Sequence, residues 1–300
     1  MPNTTEHETH IGVAGWAYKD WEGIVYPADL KKKKQHPVEY LAAYFDVIEI
    51  NTSFYGHIKP GVAKSWCRYA AANPKFLFTA KLNRAFTHSP VSAVESTSAA
   101  TIKPGLNDEA EALAGLSVLA EEGKLGALLM QFPISFKNTQ ENRGYLDGLI
   151  LRWKEYPLVL EVRHQSWNTE EVLKYLVESG VGICNVDQPL LGRAVRPGSN
   201  VTSPLGYVRL HGRNYEKWFT HQHSHERYDY LYSEKELAGW EKRIEQIAEN
   251  ARQTFVIANN HYQGKAAVNA LEIKRMLTGK KVQSPPELTK RYPRLASITE

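Results

Sequence analysis

Three hundred residues with 42% hydrophobic content can bury a large core, and a chain of this length fits one domain. Thirty-seven basic against 33 acidic residues, a formal charge of +4, leave no polycationic character, so charge alone does not call for a nucleic-acid partner. Two cysteines, Cys67 and Cys184, support neither a disulfide framework nor a Cys-based zinc site and fit a reducing cytoplasm. Residues 1–10 are polar and lack the apolar core of a signal peptide. No window approaches the roughly 20 apolar residues of a membrane span, so a cytoplasmic chain without membrane partner is expected.

In chain order, runs rich in branched and aromatic residues predict strands over 11–15, 47–51, 76–81, 125–132, 158–164, 182–187, 207–212 and 255–260. Helical periodicity falls between them, over 38–45, 62–72, 109–122, 141–156, 170–179, 234–252 and 265–277. Ser233 with Glu236, and Asn168 with Glu171, read as helix caps. The basic run Lys31 to Lys34 reads as a solvated loop. Alternation of strand and helix predicts a parallel α/β fold. An open dinucleotide-binding sheet is disfavoured because Gly12-Val13-Ala14-Gly15-Trp16 lacks the third glycine of that turn. Eight strands favour a closed parallel (β/α)8 barrel of the TIM type. The stretch 187–206 carries Pro189, Pro197 and Pro204 without a helical period, so a loop should replace one outer helix there. Long excursions at 83–105 and 213–232 follow strand carboxyl ends, where barrels build their sites. Residues 1–300 are read as one domain, with the tail 279–300 wrapping the barrel exterior.

Several motifs in order support this reading: Ala14-Gly15-Trp16 followed by Trp21 and Tyr26-Pro27, Glu49-Ile50-Asn51-Thr52-Ser53-Phe54-Tyr55, and Phe78-Thr79-Ala80-Lys81. They continue through Gln131-Phe132-Pro133, Glu161-Val162-Arg163-His164 with Trp167, Arg209-Leu210-His211-Gly212-Arg213 and Tyr228-Asp229-Tyr230-Leu231-Tyr232. Together they resemble the YecE-like family, catalogued as domain of unknown function 72. The resemblance implies a closed parallel barrel and supplies no established substrate or reaction.

Chemistry is therefore read from the residues. Polar and charged side chains at the end of a buried parallel strand are costly unless they face a site. Alternation puts Glu161 and Arg163 on one side and His164 on the other, so a carboxylate and a guanidinium can enter the mouth. A purely structural Arg–Glu pair closing the barrel top is the plain alternative. Glu49 and Asn51 share a face, with Tyr55 in the following loop; Glu49 or Glu161 is the expected proton carrier, and Asn51 and Tyr55 would orient a ligand. Lys81 is read as a binding cation, with a Schiff-base role as the rarer outcome. His211 should assist proton transfer. Arg209, Arg213 and the Gly264 amide suggest an anion pocket at the last two loops. Gln131, Asp187 and Asn259, also at strand ends, complete the binding set, together with Trp16 as the aromatic nearest a strand end. Tyr18, Trp21, Trp167, Tyr215, Trp218 and Phe219 are further loop aromatics, about half of which should simply pack the loops together.

The expected partner is a small polar anion, phosphorylated or carboxylated and sugar-like, handled by acid/base chemistry. One alternative is a metal-dependent phosphodiesterase or nuclease acting on nucleotides or nucleic acid; another is a noncatalytic binding protein. A divalent metal among Glu49, Glu161, Asp187 and His211 is not favoured, because arginines and a lysine compensate the same carboxylates. The triplet His221, His223 and His225 is read as a lid loop without native metal. The cofactor is left open.

Overall fold

The computed structural model describes residues 7–88, 105–218, 220 and 222–300. Eight parallel strands close into a barrel in chain order: β1 (Glu8–Ala14), β2 (Val47–Ile50), β3 (Leu77–Lys81), β4 (Leu125–Gln131), β5 (Leu158–Glu161), β6 (Gly182–Asp187), β7 (Leu205–Leu210) and β8 (Gln253–Ala258). Closure is made by β8 pairing β1 from Glu8 beside Gln253 to Val13 beside Ala258. No edge strand remains to be protected.

The strand side chains sort by parity into two cores. Val47, Leu129, Val159, Val186, Tyr207 and Ile257 fill the barrel interior. Ile48, Leu128, Leu160, Val208 and Val256 face outward and join the larger apolar layer beneath the helices. That two-sided burial explains why the strands read as nearly continuous apolar runs. The interior series, continued one step past the apolar residues, brings Glu49, Lys81, Gln131, Glu161, Arg209 and Asn259 to the carboxyl end of the barrel.

The outer layer comprises α1 (Pro37–Leu41), α2 (Pro60–Tyr69), α3 (Arg84–Thr87), α4 (Leu106–Glu121), α5 (Gln140–Trp153), α6 (Glu170–Glu178), α7 (Glu234–Asn250), α8 (Lys265–Thr278) and α9 (Pro286–Arg291). No helix lies between β6 and β7, in agreement with the proline-rich loop expected there. The α7 start is a full capping box: the Ser233 side chain accepts from Glu236 N, and Glu236 accepts from Ser233 N at 2.9 Å. At α6 the cap is Thr169, one residue later than expected, its hydroxyl accepting from Val172 N. Strand β5 stops at Glu161 rather than His164: its ladder to β6 ends at Leu160 and its last pairing to β4 is Gln131 beside Glu161. The short α3 and α9 carry no periodic signal at four and six residues.

Beyond α8 the chain returns to the outer core through Val282, Leu288 and Leu295. Arg294 Nε meets Glu272 Oε1 of α8 at 2.6 Å, and Tyr292 Oη donates to Gln263 O at 2.7 Å. Among the described residues no helix is long and apolar enough to cross a membrane.

Candidate functional site at the barrel mouth

The deepest polar layer is built on Arg209. Its Nη2 lies 2.6 Å from Glu49 Oε1, and its Nη1 bonds Glu161 Oε2 and, at 3.1 Å, Gln131 Oε1. Glu49, Glu161 and Arg209 are all 0% exposed. Tyr207 Oη, one turn of the barrel below, donates to Glu49 Oε2 at 3.0 Å and meets Thr79 Oγ1 at 2.9 Å. Burial alone would push the Glu161 carboxyl up, but Arg209 and Arg163 outweigh it and hold that group well below the usual carboxylate range. The same coupling holds Arg209 charged against its own burial.

Above this layer the mouth opens into a cavity of about 260 Å³. Arg163 leans over it, its Nε donating to Glu161 Oε1 at 2.8 Å and its Nη1 to Gln188 Oε1 at 2.7 Å. The Asn259 carboxamide holds His211 Nδ1 at 2.8 Å, leaving Nε2 aimed at Arg163 Nη2 (3.1 Å) and Glu161 Oε1 (3.5 Å). Burial, then Arg163 and Arg209, push the imidazole well below its ordinary range, so the ring is neutral at pH 7. Lys81 enters from β3, with Nζ 3.7 Å from Glu49 Oε1 and 5.7 Å from the centre of the Phe54 ring. Burial, then Arg209, draw its pKa down to about 8. Its backbone is fixed by Ser53, whose Oγ accepts from Lys81 N at 3.0 Å and donates to Ile50 O at 2.9 Å.

The cavity wall carries Lys81, Arg163 and Arg227, with no Asp or Glu lining it among the described residues. Arg227 lies over Trp218 at 5.4 Å. Tyr55, 74% exposed, and Tyr228 complete the aromatic rim. The cavity therefore presents cations and neutral donors to whatever enters, while the carboxylates sit beneath, occupied by Arg209.

Of the residues expected in the site, Tyr55, Lys81, Gln131, Arg163, His211 and Asn259 line the cavity, and Glu49, Glu161 and Arg209 form its floor. Four others lie elsewhere. Asp187 points outward, opposite in parity to interior Val186, and pairs with Arg213 Nε at 3.0 Å; Arg213 in turn reaches Glu236 Oε1 at 3.2 Å. Asp187 and Arg213 thus fasten the β6 and β7 ends to α7 rather than face the cavity. The Gly264 amide donates to His261 O at 3.0 Å and is spent. Its φ of 78° and a would-be Cβ only 2.7 Å from Val25 Cγ2 explain the glycine by packing, not by anion binding. Trp16 packs edge-on against Trp66 at 5.0 Å in the outer core.

Asn51 stands between: its Nδ2 is 3.4 Å from Tyr18 Oη, and its Oδ1 is buried without a partner. Trp21 and Trp167 donate to the His261 and Phe136 carbonyls, serving the loops. The four residues weighed as metal ligands, Glu49, Glu161, Asp187 and His211, do not converge, since Asp187 faces away and both glutamates clasp Arg209; among the described residues no group of three His, Cys, Asp or Glu is placed to hold a metal. His223 and His225 stack at 5.5 Å, with His225 on Tyr262, whereas His221 and Phe219 lie outside the described residues, as does most of the 83–105 excursion.

Gln188 is the main residue that sequence reasoning passed over, although counting alternate positions from Cys184 and Val186 leads to it. His88, Arg227 and Tyr228 come from loops, where no periodicity points inward.

Comparisons with known proteins agree with this architecture. The family described as "Protein of unknown function DUF72" matches residues 10–292. UPF0759 protein YunF of Bacillus subtilis is 27% identical over 281 residues, covering 89% of this chain and 94% of its own. A DUF72 family protein of Thermotoga maritima superposes with a TM-score of 0.76 at 33% identity, over 91% of this chain and 100% of its own. One from Enterococcus faecalis shares the fold with a TM-score of 0.75 at 24% identity, over 90% and 95% of the two chains. With the family's match running through almost the whole barrel, the chain belongs to the DUF72 family.

Proposed function

We propose that this barrel is an enzyme acting on a small polar anion, carboxylated or phosphorylated, held at the mouth. One observation carries the reading: among the described residues the cavity wall has three cationic side chains and no carboxylate. The inner layer supports it, because three buried or nearly buried cations, Arg209, Arg163 and Lys81, face only two carboxylates, Glu49 and Glu161. The surplus cation lies on the cavity side, where Lys81 and Arg163 side chains are 11% and 16% exposed against 0% for Arg209. A ligand anion in that low-dielectric space would complete the pairing.

In this reading Arg163 and Lys81 bind the anion and Gln188 fixes the guanidinium plane. His211, neutral, held by Asn259 and lining the cavity with Nε2 beside Arg163 Nη2, exchanges the proton. Glu161 holds Arg163 and His211 in place. The cavity volume fits a compound of a few heavy atoms and does not call for a polymer.

The test is a thermal-shift panel of sugar phosphates, small carboxylates, nucleotides, short nucleic acids and divalent metals, run on the wild type and on Arg163→Gln. A ligand present at 100 times its Kd should add about 2.7 kcal/mol of stability. Stabilisation by a small anion that weakens in Arg163→Gln supports the reading; stabilisation only by nucleic acid or metal overturns it. Turnover of the stabilising compound separates an enzyme from a noncatalytic binding protein.

A further inference from the structure

We propose that Lys81 captures a carbonyl group, its Nζ forming an imine with an aldehyde or ketone that also carries a carboxylate or phosphate. The inference rests on the anion site above and names its substrate class.

Three observations place an amine nucleophile there. First, the backbone that carries the side chain into the cavity is fixed: β3 ends on Lys81, Ser53 Oγ accepts from its amide, and Asn83 Nδ2 donates to Ser53 O at 3.2 Å, while the side chain lines the cavity. Second, Lys81 is not the necessary partner of Glu49. Both Glu49 oxygens are already engaged, Oε1 by Arg209 at 2.6 Å and Oε2 by Tyr207 at 3.0 Å, and Lys81 Nζ stays 3.7 Å away. At that distance Lys81 keeps an ion-pair contact with Glu49 but no hydrogen bond to it. Third, burial, then the charge of Arg209 and more weakly Arg163, disfavour the ammonium and outweigh Glu49, Glu161 and the cation–π contact with the Phe54 ring, which favour it. With the pKa drawn down to about 8, about a tenth of Lys81 is free amine at pH 7. An ordinary lysine near 10.4 keeps only about one part in 2,500.

The chemistry balances with groups present. The amine lone pair attacks the carbonyl carbon, and the C=O π pair moves to oxygen. Glu49, its Oε1 3.7 Å from Nζ, takes a proton from the new C–N ammonium and passes it to the alkoxide, giving a neutral carbinolamine. It then carries the remaining N–H proton to the hydroxyl, which leaves as water while the nitrogen electron pair forms C=N. One carbonyl and one amine give one imine and one water. Arg163 holds the anionic group, which keeps the carbonyl beside Nζ.

Glyoxylate, the smallest 2-oxo acid, is the probe. Full-length protein is incubated with it and sodium cyanoborohydride between pH 6 and pH 9, then mapped by peptide mass spectrometry. The hydride fixes the imine as a stable secondary amine. The expected result is a reduced adduct on Lys81 at least ten times more abundant than on exposed Lys280, rising through a midpoint near pH 8 and absent in Lys81→Arg. Adduct spread evenly over the lysines, or Lys81 labelled no faster than Lys280, overturns the proposal in the wild type without relying on any variant. If glyoxylate stabilises the protein in a melt without reductant while Lys81 stays unmodified, the imine falls and the anion site stands. If Lys81 is modified as fast by uncharged propionaldehyde, and Arg163→Gln changes nothing, the amine stands and the anionic substrate class falls.

Discussion

Arg209 and Arg163 share one carboxylate, Glu161, yet occupy different regions of the mouth. Arg209 is sealed among Glu49, Glu161 and Gln131 with no exposed surface, and its Nε is buried without a hydrogen-bond partner among the described residues. Arg163 borrows Glu161 from the other side and turns the rest of its guanidinium toward Gln188, His211 and the cavity. The same residue type is thus scaffold in one layer and ligand-facing in the next. Charge at a strand end shows that the mouth is polar. Which charge is left over shows where a ligand goes.

The widest separation between the two regions should appear in stability. Arg209→Met removes the shared partner of two fully buried carboxylates, and breaking a buried pair from one side costs about 3–5 kcal/mol. Urea unfolding would show it; a loss under 1 kcal/mol would mean that the inner layer is not what holds the barrel top.

Acid should strain both regions. His211 is kept neutral by burial and by Arg163 and Arg209, and burial draws the His261 pKa down to about 4. Unfolded, both titrate near 6.5. As pH falls from 7 the unfolded chain therefore takes up protons first, so this stability is fully present above about 6.5 and declines below it. His261 should cost on the order of 2 kcal/mol between pH 7 and pH 5, and His211 acts in the same direction. The Glu161 contribution, from a carboxyl held low, is lost only below about 4.5. Denaturant midpoints that stay level from pH 7 to pH 5 would contradict the neutral buried imidazoles.

Gly264→Ala sharpens the contrast from outside the cavity. Its positive φ and the clash with Val25 predict a loss of about 1–3 kcal/mol, measured by the same unfolding, with no change in anion affinity. The smallest expected effect is the most specific: Arg163→Gln should weaken anion binding about tenfold, near 1.4 kcal/mol by calorimetry, while the melting temperature moves far less than in Arg209→Met.

The barrel was legible in the residues because two-sided burial writes eight apolar runs, and because the proline-rich stretch after β6 cannot hold a helix. The ring of Glu49, Lys81, Gln131, Glu161 and Arg209 was legible for a related reason, since alternation within each strand fixes which side a residue faces. Asp187 shows the limit. Its charge drew it into the site, whereas parity hands that position to Gln188, an uncharged residue one step on. Gly264 and Trp16 misled differently, because a glycine before a helix and an aromatic after a strand serve packing as readily as binding. Arg227 and Tyr228 arrive on a short 3-10 turn, Ser224–Tyr228, within the long β7–α7 connection, whose course no strand or helix periodicity fixes.

A crystal structure with the most stabilising anion of the thermal-shift panel bound would test the division of labour directly. The account predicts the anion within hydrogen-bond distance of Arg163 and Lys81, with Arg209 still clasped between Glu49 and Glu161. An anion paired with Arg209 after displacing Glu161, or seated away from the mouth, would contradict it.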